Sequence, residues 1–134
     1  MFLLDTDTCI DVLRGVAPVV SKLAQLSPDD CALSSITVFE LYSGAFLGAH
    51  SHSEQSKIDR FVAPFPVLTF DSNVAMTAAR IRAELSRSGT TIGPYDLLIA
   101  AEAIRSRLTL VTSNLADFRR IPTLRVETWR PSGL

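Results

Sequence analysis

MFLLDTDTCID, residues 1–11, is the stretch on which the interpretation of the whole chain depends. The apolar run at 2–4 is typical of a short strand buried on both faces of a sheet. The run stops at Asp5, and Asp7 and Asp11 follow it closely. An acidic residue directly after a buried strand is either the N-cap of the helical pattern that follows or a functional carboxylate such as a metal ligand. Taken alone, the stretch favours the cap, because caps are common and metal ligands are rare.

Length and composition exclude several classes of protein. The chain has 134 residues, of which 47% are hydrophobic, so we expect one domain over 1–134 with a sizeable core. A net charge of −1 gives no sign of a general nucleic-acid binder. Cys9 and Cys31 are too few for a disulfide framework and predict buried thiols in a reducing cytosol. Without a basic leader or a long apolar run, we expect a cytoplasmic protein with no membrane segment.

Strand and helix patterns alternate along the sequence. Strands are predicted at 2–4, 31–33, 66–68, 108–112 and 125–127. Helices are predicted at 8–14, at 18–26, from Ser35 to about Gly48, from Asp71 to Gly89 and at 97–107. Between the third and fourth of these, a polar stretch is followed by a further helix that ends at Val62. Strands separated by helices require crossover connections and therefore a parallel sheet. The sequence predicts a three-layer α/β/α domain around a parallel sheet of about five strands.

This architecture predicts where chemistry takes place. In open parallel sheets, sites lie beyond the carboxyl ends of the strands, where the strand order reverses. Asp5 follows the first strand, Glu40 lies early in the helix after the second, and Asp96 lies in the first turn of the helix before the fourth. The segment from Asn114 to Asp117 follows the fourth strand. We expect these acidic residues to face one corner of the sheet.

Each acidic residue also has a purely structural interpretation. Thr37 and Glu40 fit the S/T-x-x-E capping box, Asp96 suits the positive end of a helix, and Asp117 is suited to solvent. Capping does not explain why the acids share one end of the sheet. Neighbouring carboxylates repel one another unless a cation lies among them, and oxygen ligands favour Mg²⁺ or Mn²⁺.

Four linked motifs give the chain a family likeness. They are LLDTDTCIDVL (3–13), SSITVFELYSGA (34–45), GPYDLLIAA (93–101) and LVTSNLADFRRIPTLRVETW (110–129). Together they resemble the PIN-domain nucleases, in the VapC-like branch of toxin–antitoxin ribonucleases. The likeness runs nearly from end to end of the chain and in the same order.

The resemblance implies a set of ligands for one or two Mg²⁺ or Mn²⁺ ions. Carried over to this sequence, the ligands are Asp5, Glu40, Asp96 and Asp117. Many relatives have Asp where this chain has Asn114, so the fourth ligand is either Asp117 or Asn114 acting through a water molecule. Relatives often carry Asn at the position of Asp7, whose role is not assigned.

The implied activity is metal-dependent hydrolysis of phosphodiester bonds in RNA, with tRNA as an expected substrate and translation as the process inhibited. Ions held by carboxylates can activate a water and neutralise phosphate charge. Hydroxyl and amide side chains near the strand ends are expected to orient that water or a phosphate oxygen, or else to satisfy loop backbone. They are Thr6, Thr112, Ser113 and Asn114.

Arginine and aromatic side chains are the candidates for binding the RNA. The arginines are Arg80, Arg82, Arg87, Arg105, Arg107, Arg119 and Arg120, which would grip phosphates, although most such residues are simply solvated. Tyr42, Tyr95 and Trp129 are candidates for base stacking, and Trp129 is better suited to packing.

The resemblance also implies a VapB-like antitoxin, which buries an amphipathic segment on the toxin and blocks its acidic site, and a toxin homodimer. The apolar residues expected to line such a groove, or equally to fill the core, are Leu41, Phe46, Leu47, Phe61 and Val62.

Two other classes of function stay open. One is a non-catalytic binding module with the same fold, and the other is a phosphatase or phosphotransferase with an aspartate nucleophile, for which the sequence offers no GxxxxGK or GxGxxG loop.

Overall fold

Five short strands lie side by side in one parallel sheet in the computed structural model, which describes residues 1–131. The strands are β1 (Phe2–Leu4), β2 (Cys31–Ser34), β3 (Val67–Leu68), β4 (Thr109–Val111) and β5 (Val126–Glu127). Their order across the sheet is β3-β2-β1-β4-β5, and every neighbouring pair is parallel. The predicted fold class is confirmed.

Helices connect the strands. Within residues 1–131 they are α1 (Thr6–Leu13), α2 (Ala17–Ala24), α3 (Ser35–Leu47), α4 (Ser51–Val62), α5 (Ser72–Arg87), α6 (Pro94–Ser106) and α7 (Leu115–Phe118). Asp71 caps α5, because its carboxylate accepts a 3.0 Å hydrogen bond from the backbone N–H of Val74. Gly89 follows α5 in the left-handed region, with φ +74°, as the sequence predicts for the end of this helix.

The sheet is covered on both faces. Successive side chains of a strand point to opposite faces, and Leu3 and Leu4 accordingly enter different apolar clusters. Leu3 packs in a cluster with residues of α5 and α6, including Ile81 and Ile99. Leu4 packs in a cluster with residues of α1, α3 and α4, including Cys9, Leu41 and Ile58. This arrangement gives the three predicted layers.

Several helix boundaries differ from the sequence prediction. The first helix begins at Thr6 rather than Thr8, because Asp5 is its N-cap. The helix α4 begins at Ser51, whereas the stretch from His50 to Lys57 is expected to be polar and only then helical. The one-turn helix α7 is not predicted at all, and neither is the short 3₁₀ helix at Pro28–Asp30.

The strand order reverses between β1 and β4. From β1 the chain moves outward to β2 and β3, then returns to place β4 on the opposite side of β1. The carboxyl ends of these two strands are tied together, since the backbone N–H of Asp5 donates a 3.0 Å hydrogen bond to the carbonyl of Val111. This is the edge at which parallel sheets hold their sites. Among residues 1–131, no helix combines the length and the apolar character needed to cross a membrane.

Candidate active site

Asp5 is both a helix cap and a buried carboxyl group. It follows β1, is 1% exposed, and its Oδ1 accepts a 2.8 Å hydrogen bond from the backbone N–H of Thr8. Burial raises the pKa of Asp5 to about 7, against the opposing effect of hydrogen bonds from Thr112 and Thr8. The cap interpretation of Asp5 is therefore confirmed, and it leaves a carboxyl group whose ionisation is costly in the folded protein.

Glu40 is not part of a capping box. The helix α3 begins at Ser35, and its N-cap is Ser34, whose hydroxyl accepts from the backbone N–H of Ile36. The predicted capping box of Thr37 and Glu40 is wrong because both residues lie inside the helix. Glu40 Oε1 instead accepts a 2.6 Å hydrogen bond from the hydroxyl of Thr6. This bond directs Glu40 toward the end of β1.

The carboxyl group of Asp96 is affected by the negative charges of three other acidic residues. It lies in the first turn of α6, with its side chain partly buried. Its pKa is raised to about 6 by burial first, and then by the negative charges of Asp7, Glu40 and Asp117. The three repelling carboxylates come from α1, α3 and α7. The structure therefore brings acids from four separate segments into one neighbourhood.

Asp117 is paired with Asn114 and with an arginine. Asn114 Nδ2 donates a 2.7 Å hydrogen bond to Asp117 Oδ2, and Arg120 Nη2 lies 3.4 Å from Asp117 Oδ1. Arg120 Nη1 also donates to the carbonyl of Thr91 at 2.7 Å. Arg120 is thus held by two groups of the protein. The sequence leaves either Asn114 or Asp117 as the fourth ligand, and the structure joins them in one hydrogen-bonded pair.

The predicted orienting side chains have different surroundings. Thr112 is fully buried, contacts Asp5, and accepts a 2.9 Å hydrogen bond from the backbone N–H of Asn114. The hydroxyl of Thr6 binds Glu40 and lies 3.2 Å from the Thr37 hydroxyl. Ser113 is partly buried. Thr6 and Thr112 therefore position carboxylates directly.

Asp7 is a feature of the site that the sequence leaves unassigned. Its side chain is exposed in the first turn of α1, and its charge raises the pKa of both Asp5 and Asp96. Only its spacing two residues after Asp5 indicates this role in the sequence. Asp11, by contrast, is buried and held by Arg130, whose Nε donates to Oδ2 at 2.7 Å. Asp11 is a structural residue.

The side chains of the candidate site offer the kind of ligand atoms that a hard divalent cation prefers. All the donors are oxygens, and like charge and burial make two of the carboxyl groups hard to ionise without a compensating cation. Within residues 1–131, no three His, Cys, Asp or Glu side chains stand close enough to form a ready-made metal site. Mg²⁺ keeps several waters and commonly takes only one or two carboxylates directly. If three or more of these acids are to bind the same ion, their side chains must move closer together.

Comparisons with known proteins find similar sequences and structures over almost the whole chain. A family profile described as PIN domain matches residues 2–124. The tRNA(fMet)-specific endonuclease VapC of Salmonella typhimurium is 38% identical over 128 residues, which is 96% of this chain and 97% of the relative. Ribonuclease VapC2 of Rickettsia felis is 34% identical over 131 residues, covering 96% and 98% of the two chains. A crystal structure of DNA-bound VapBC from Salmonella typhimurium superposes with a TM-score of 0.91, at 36% identity, over 96% of this chain and 98% of that one.

Proposed function

Because this chain belongs to the PIN domain family, we propose that it is a metal-dependent endoribonuclease, the toxin of a type II toxin–antitoxin pair. The single observation that carries the proposal is the gathering of acids from α1, α3 and α7 around Asp96, at the edge where β1 and β4 end. Relatives that are named ribonucleases and match almost the whole chain support it. Unfractionated tRNA is the first substrate to test.

Asp5, Glu40 and Asp96 would hold one or two Mg²⁺ or Mn²⁺ ions, with Asp117 or Asn114 as the further ligand. A bound ion of this kind supplies activation of a water, neutralisation of phosphate charge and stabilisation of the leaving oxygen. The protein holds the ligands in place. Thr112 and Thr8 orient the Asp5 carboxyl group through hydrogen bonds.

The remaining ligands are also positioned by neighbours. Thr6 donates a 2.6 Å hydrogen bond to Glu40, and Asn114 donates a 2.7 Å hydrogen bond to Asp117. Hydrogen bonds of this kind fix the orientation of a ligand, and their loss weakens metal binding by about 10- to 100-fold in characterised sites. The carboxyl groups of Asp5 and Asp96 must be ionised to act as ligands, so protons compete with the ion at their raised pKa values of about 7 and about 6.

A groove beside Glu40 is the proposed binding site for the antitoxin partner. The cavity of about 430 Å³ lies between α1, α3 and α4, and its walls include Ile10, Leu13, Leu41 and Ile58, with Glu40 also lining it. An amphipathic segment of a VapB-like antitoxin would bury its apolar face there, and a basic side chain on that segment would reach Glu40. Of the apolar residues predicted for such a groove, Leu41 lines it, whereas Leu47 is 89% exposed. The Salmonella structure that superposes on this chain is a VapBC, which supports a partner of this kind.

The proposal also includes a homodimer and a cytoplasmic location. The location follows from an RNA substrate and agrees with two free, buried cysteines, Cys9 and Cys31. Sedimentation of the purified toxin, with and without its antitoxin, measures the assembly.

The test is incubation of the purified protein with unfractionated tRNA in Mn²⁺, in Mg²⁺ and in EDTA, followed by mapping of the cut ends. Discrete cuts that require the metal and disappear in Asp5→Ala and Asp96→Asn are expected. Full activity in EDTA contradicts metal dependence. Binding of a partner with no cleavage in either metal indicates a non-catalytic module of the same fold instead.

A further inference from the structure

Two aromatic rings form an exposed pair on the surface of the molecule. Phe39 of α3 and Tyr95 of α6 have ring centroids 5.5 Å apart, with an angle of 57° between the ring planes. The two residues are 50% and 44% exposed. Large aromatic side chains are usually buried, and two adjacent rings left half in solvent are available for contact with a ligand.

The pair borders the candidate active site. Phe39 immediately precedes Glu40 in α3, and Tyr95 immediately precedes Asp96 in α6. Helices α3 and α6 pack against each other, and each contributes one of these acids. The contact between the two rings joins the same two helices. A nucleic acid whose backbone lies over the acids would therefore bring a base to the rings.

We infer that Phe39 and Tyr95 form a stacking platform for an unpaired base of the RNA next to the bond that is cut. The inference rests on the proposed function and adds a substrate class to it. Contacts to phosphate are the same for every nucleotide, so recognition of a base requires a contact outside the acidic site. Stacking on an aromatic face is such a contact, and it is open to every base.

The platform selects single-stranded segments. A base inside a duplex has both faces covered by its neighbours, whereas bases in loops and bulges can turn outward and stack on protein aromatics. The preferred cleavage sites are therefore in loops of folded RNA, not in its stems.

The chain provides a matched control on the same helix. Phe46 of α3 is 60% exposed and is also paired with an aromatic ring, that of Tyr42, at 6.0 Å. Phe46 is not adjacent in sequence to a candidate ligand, so its removal tests the effect of losing an exposed ring by itself.

The experiment compares Phe39→Ala and Tyr95→Ala with Phe46→Ala and wild type. Quenching of 2-aminopurine fluorescence in a short single-stranded RNA reports stacking directly. It is measured in EDTA, where cleavage is prevented. Affinity for unfractionated tRNA is measured in the same buffer, and KM and kcat are measured in Mn²⁺. Phe39→Tyr and Tyr95→Phe keep the rings, while Phe39→Leu and Tyr95→Leu keep apolar bulk without a ring, in case the alanine variants fold poorly.

Loss of either ring is expected to abolish most of the quenching, weaken tRNA binding about 10- to 100-fold and raise KM more than it lowers kcat. The ring-retaining variants and Phe46→Ala are expected to behave as wild type. Wild-type quenching in the ring-free variants overturns the inference, as does an equal effect of Phe46→Ala. A changed sedimentation coefficient with unchanged RNA affinity also overturns it and assigns the pair to a contact between copies of the chain.

Failure of the inference is separable from failure of the proposed function. Cleavage of tRNA that is unaffected by loss of the rings refutes the platform alone. Ring-dependent quenching by a protein that cuts no RNA in any metal refutes the nuclease, and it supports stacking of a base on the two rings but overturns their place beside a cleaved bond.

Discussion

The hydroxyl of Thr6 donates a 2.6 Å hydrogen bond to Oε1 of Glu40, and so links the start of α1 to the middle of α3. Thr6→Val removes the hydrogen bond with little change in volume and is expected to weaken Mn²⁺ binding about 10-fold, because Glu40 is then free to turn away. Thr6→Ser keeps the hydroxyl and is expected to bind Mn²⁺ as wild type does. Calorimetric titration with Mn²⁺ measures both. Equal affinity in Thr6→Val and wild type would show that the bond does not position a ligand.

Asp96→Asn is expected to stabilise the metal-free protein. The raised pKa of Asp96, about 6, means that its charge is unfavourable in the folded state at neutral pH. Removal of the charge, with allowance for solvent screening, is worth about 1 kcal/mol, or roughly 3 °C in Tm. The same variant is expected to lose the rise in Tm that Mg²⁺ or Mn²⁺ produces in wild type. Thermal melts in EDTA and in metal measure both effects, and a lower Tm in EDTA would identify Asp96 as chiefly a helix-start residue.

The metal-free protein is expected to lose stability as the pH rises from about 4 to about 7. Asp5 has a pKa of about 7 in the folded state, above its ordinary value of 3.8, so the folded protein binds the proton more tightly than the unfolded chain does. Protonation of Asp5 therefore contributes to the free energy of unfolding, on the order of 3 kcal/mol. This contribution is fully present below the ordinary pKa and is lost as the pH rises from about 4 to about 7. Urea unfolding in EDTA across this range measures it. Asp5→Asn keeps a good N-cap and is expected to flatten the profile, and an unchanged slope in this variant would rule out Asp5 as the source.

Glu102 predicts a second, separate pH effect. It is 2% exposed on α6, and its Oε1 has no hydrogen-bond partner within residues 1–131. Burial, followed by the charge of Asp71, raises its pKa to about 7 against a hydrogen bond from Ser34. Glu102→Gln is therefore expected to raise the free energy of unfolding by about 1 kcal/mol at pH 8 and to change it little at pH 5, where the wild-type side chain is already neutral.

Urea unfolding of Glu102→Gln at the two pH values measures this effect. Asp96→Asn serves as the contrast, since it removes the metal-induced rise in Tm and Glu102→Gln is expected to retain it. Destabilisation of Glu102→Gln at pH 8 would mean that the ionised carboxylate has a favourable partner.

Strong local signals made most of the fold predictable. Buried apolar runs such as Phe2–Leu4 alternate with helical patterns, and this alternation requires crossover connections and a parallel sheet. The start of α4 at Ser51 was not predictable, because a turn of helix that is polar and exposed carries no apolar spacing. The helix α7 is one turn long, too short for any periodic pattern.

The neighbourhood of the site was predictable, but its internal contacts were not. The carboxyl ends of parallel strands share one edge, so the approach of Asp5 to the segment after β4 follows from topology. The bond between Thr6 and Glu40 joins residues 34 positions apart and depends on side-chain rotamers that the sequence does not specify. The capping-box pattern at Thr37 was misleading because Ser34, three residues earlier, is the better-placed N-cap.

The central claim is that acids from distant parts of the chain share a divalent ion. Its most direct test is anomalous diffraction from crystals of the protein grown with Mn²⁺. A manganese peak within coordination distance of at least two of the carboxylates of Asp5, Glu40 and Asp96 is the expected result. A manganese ion bound elsewhere, with these three carboxylates empty and turned apart at a Mn²⁺ concentration that supports cleavage, would contradict the account.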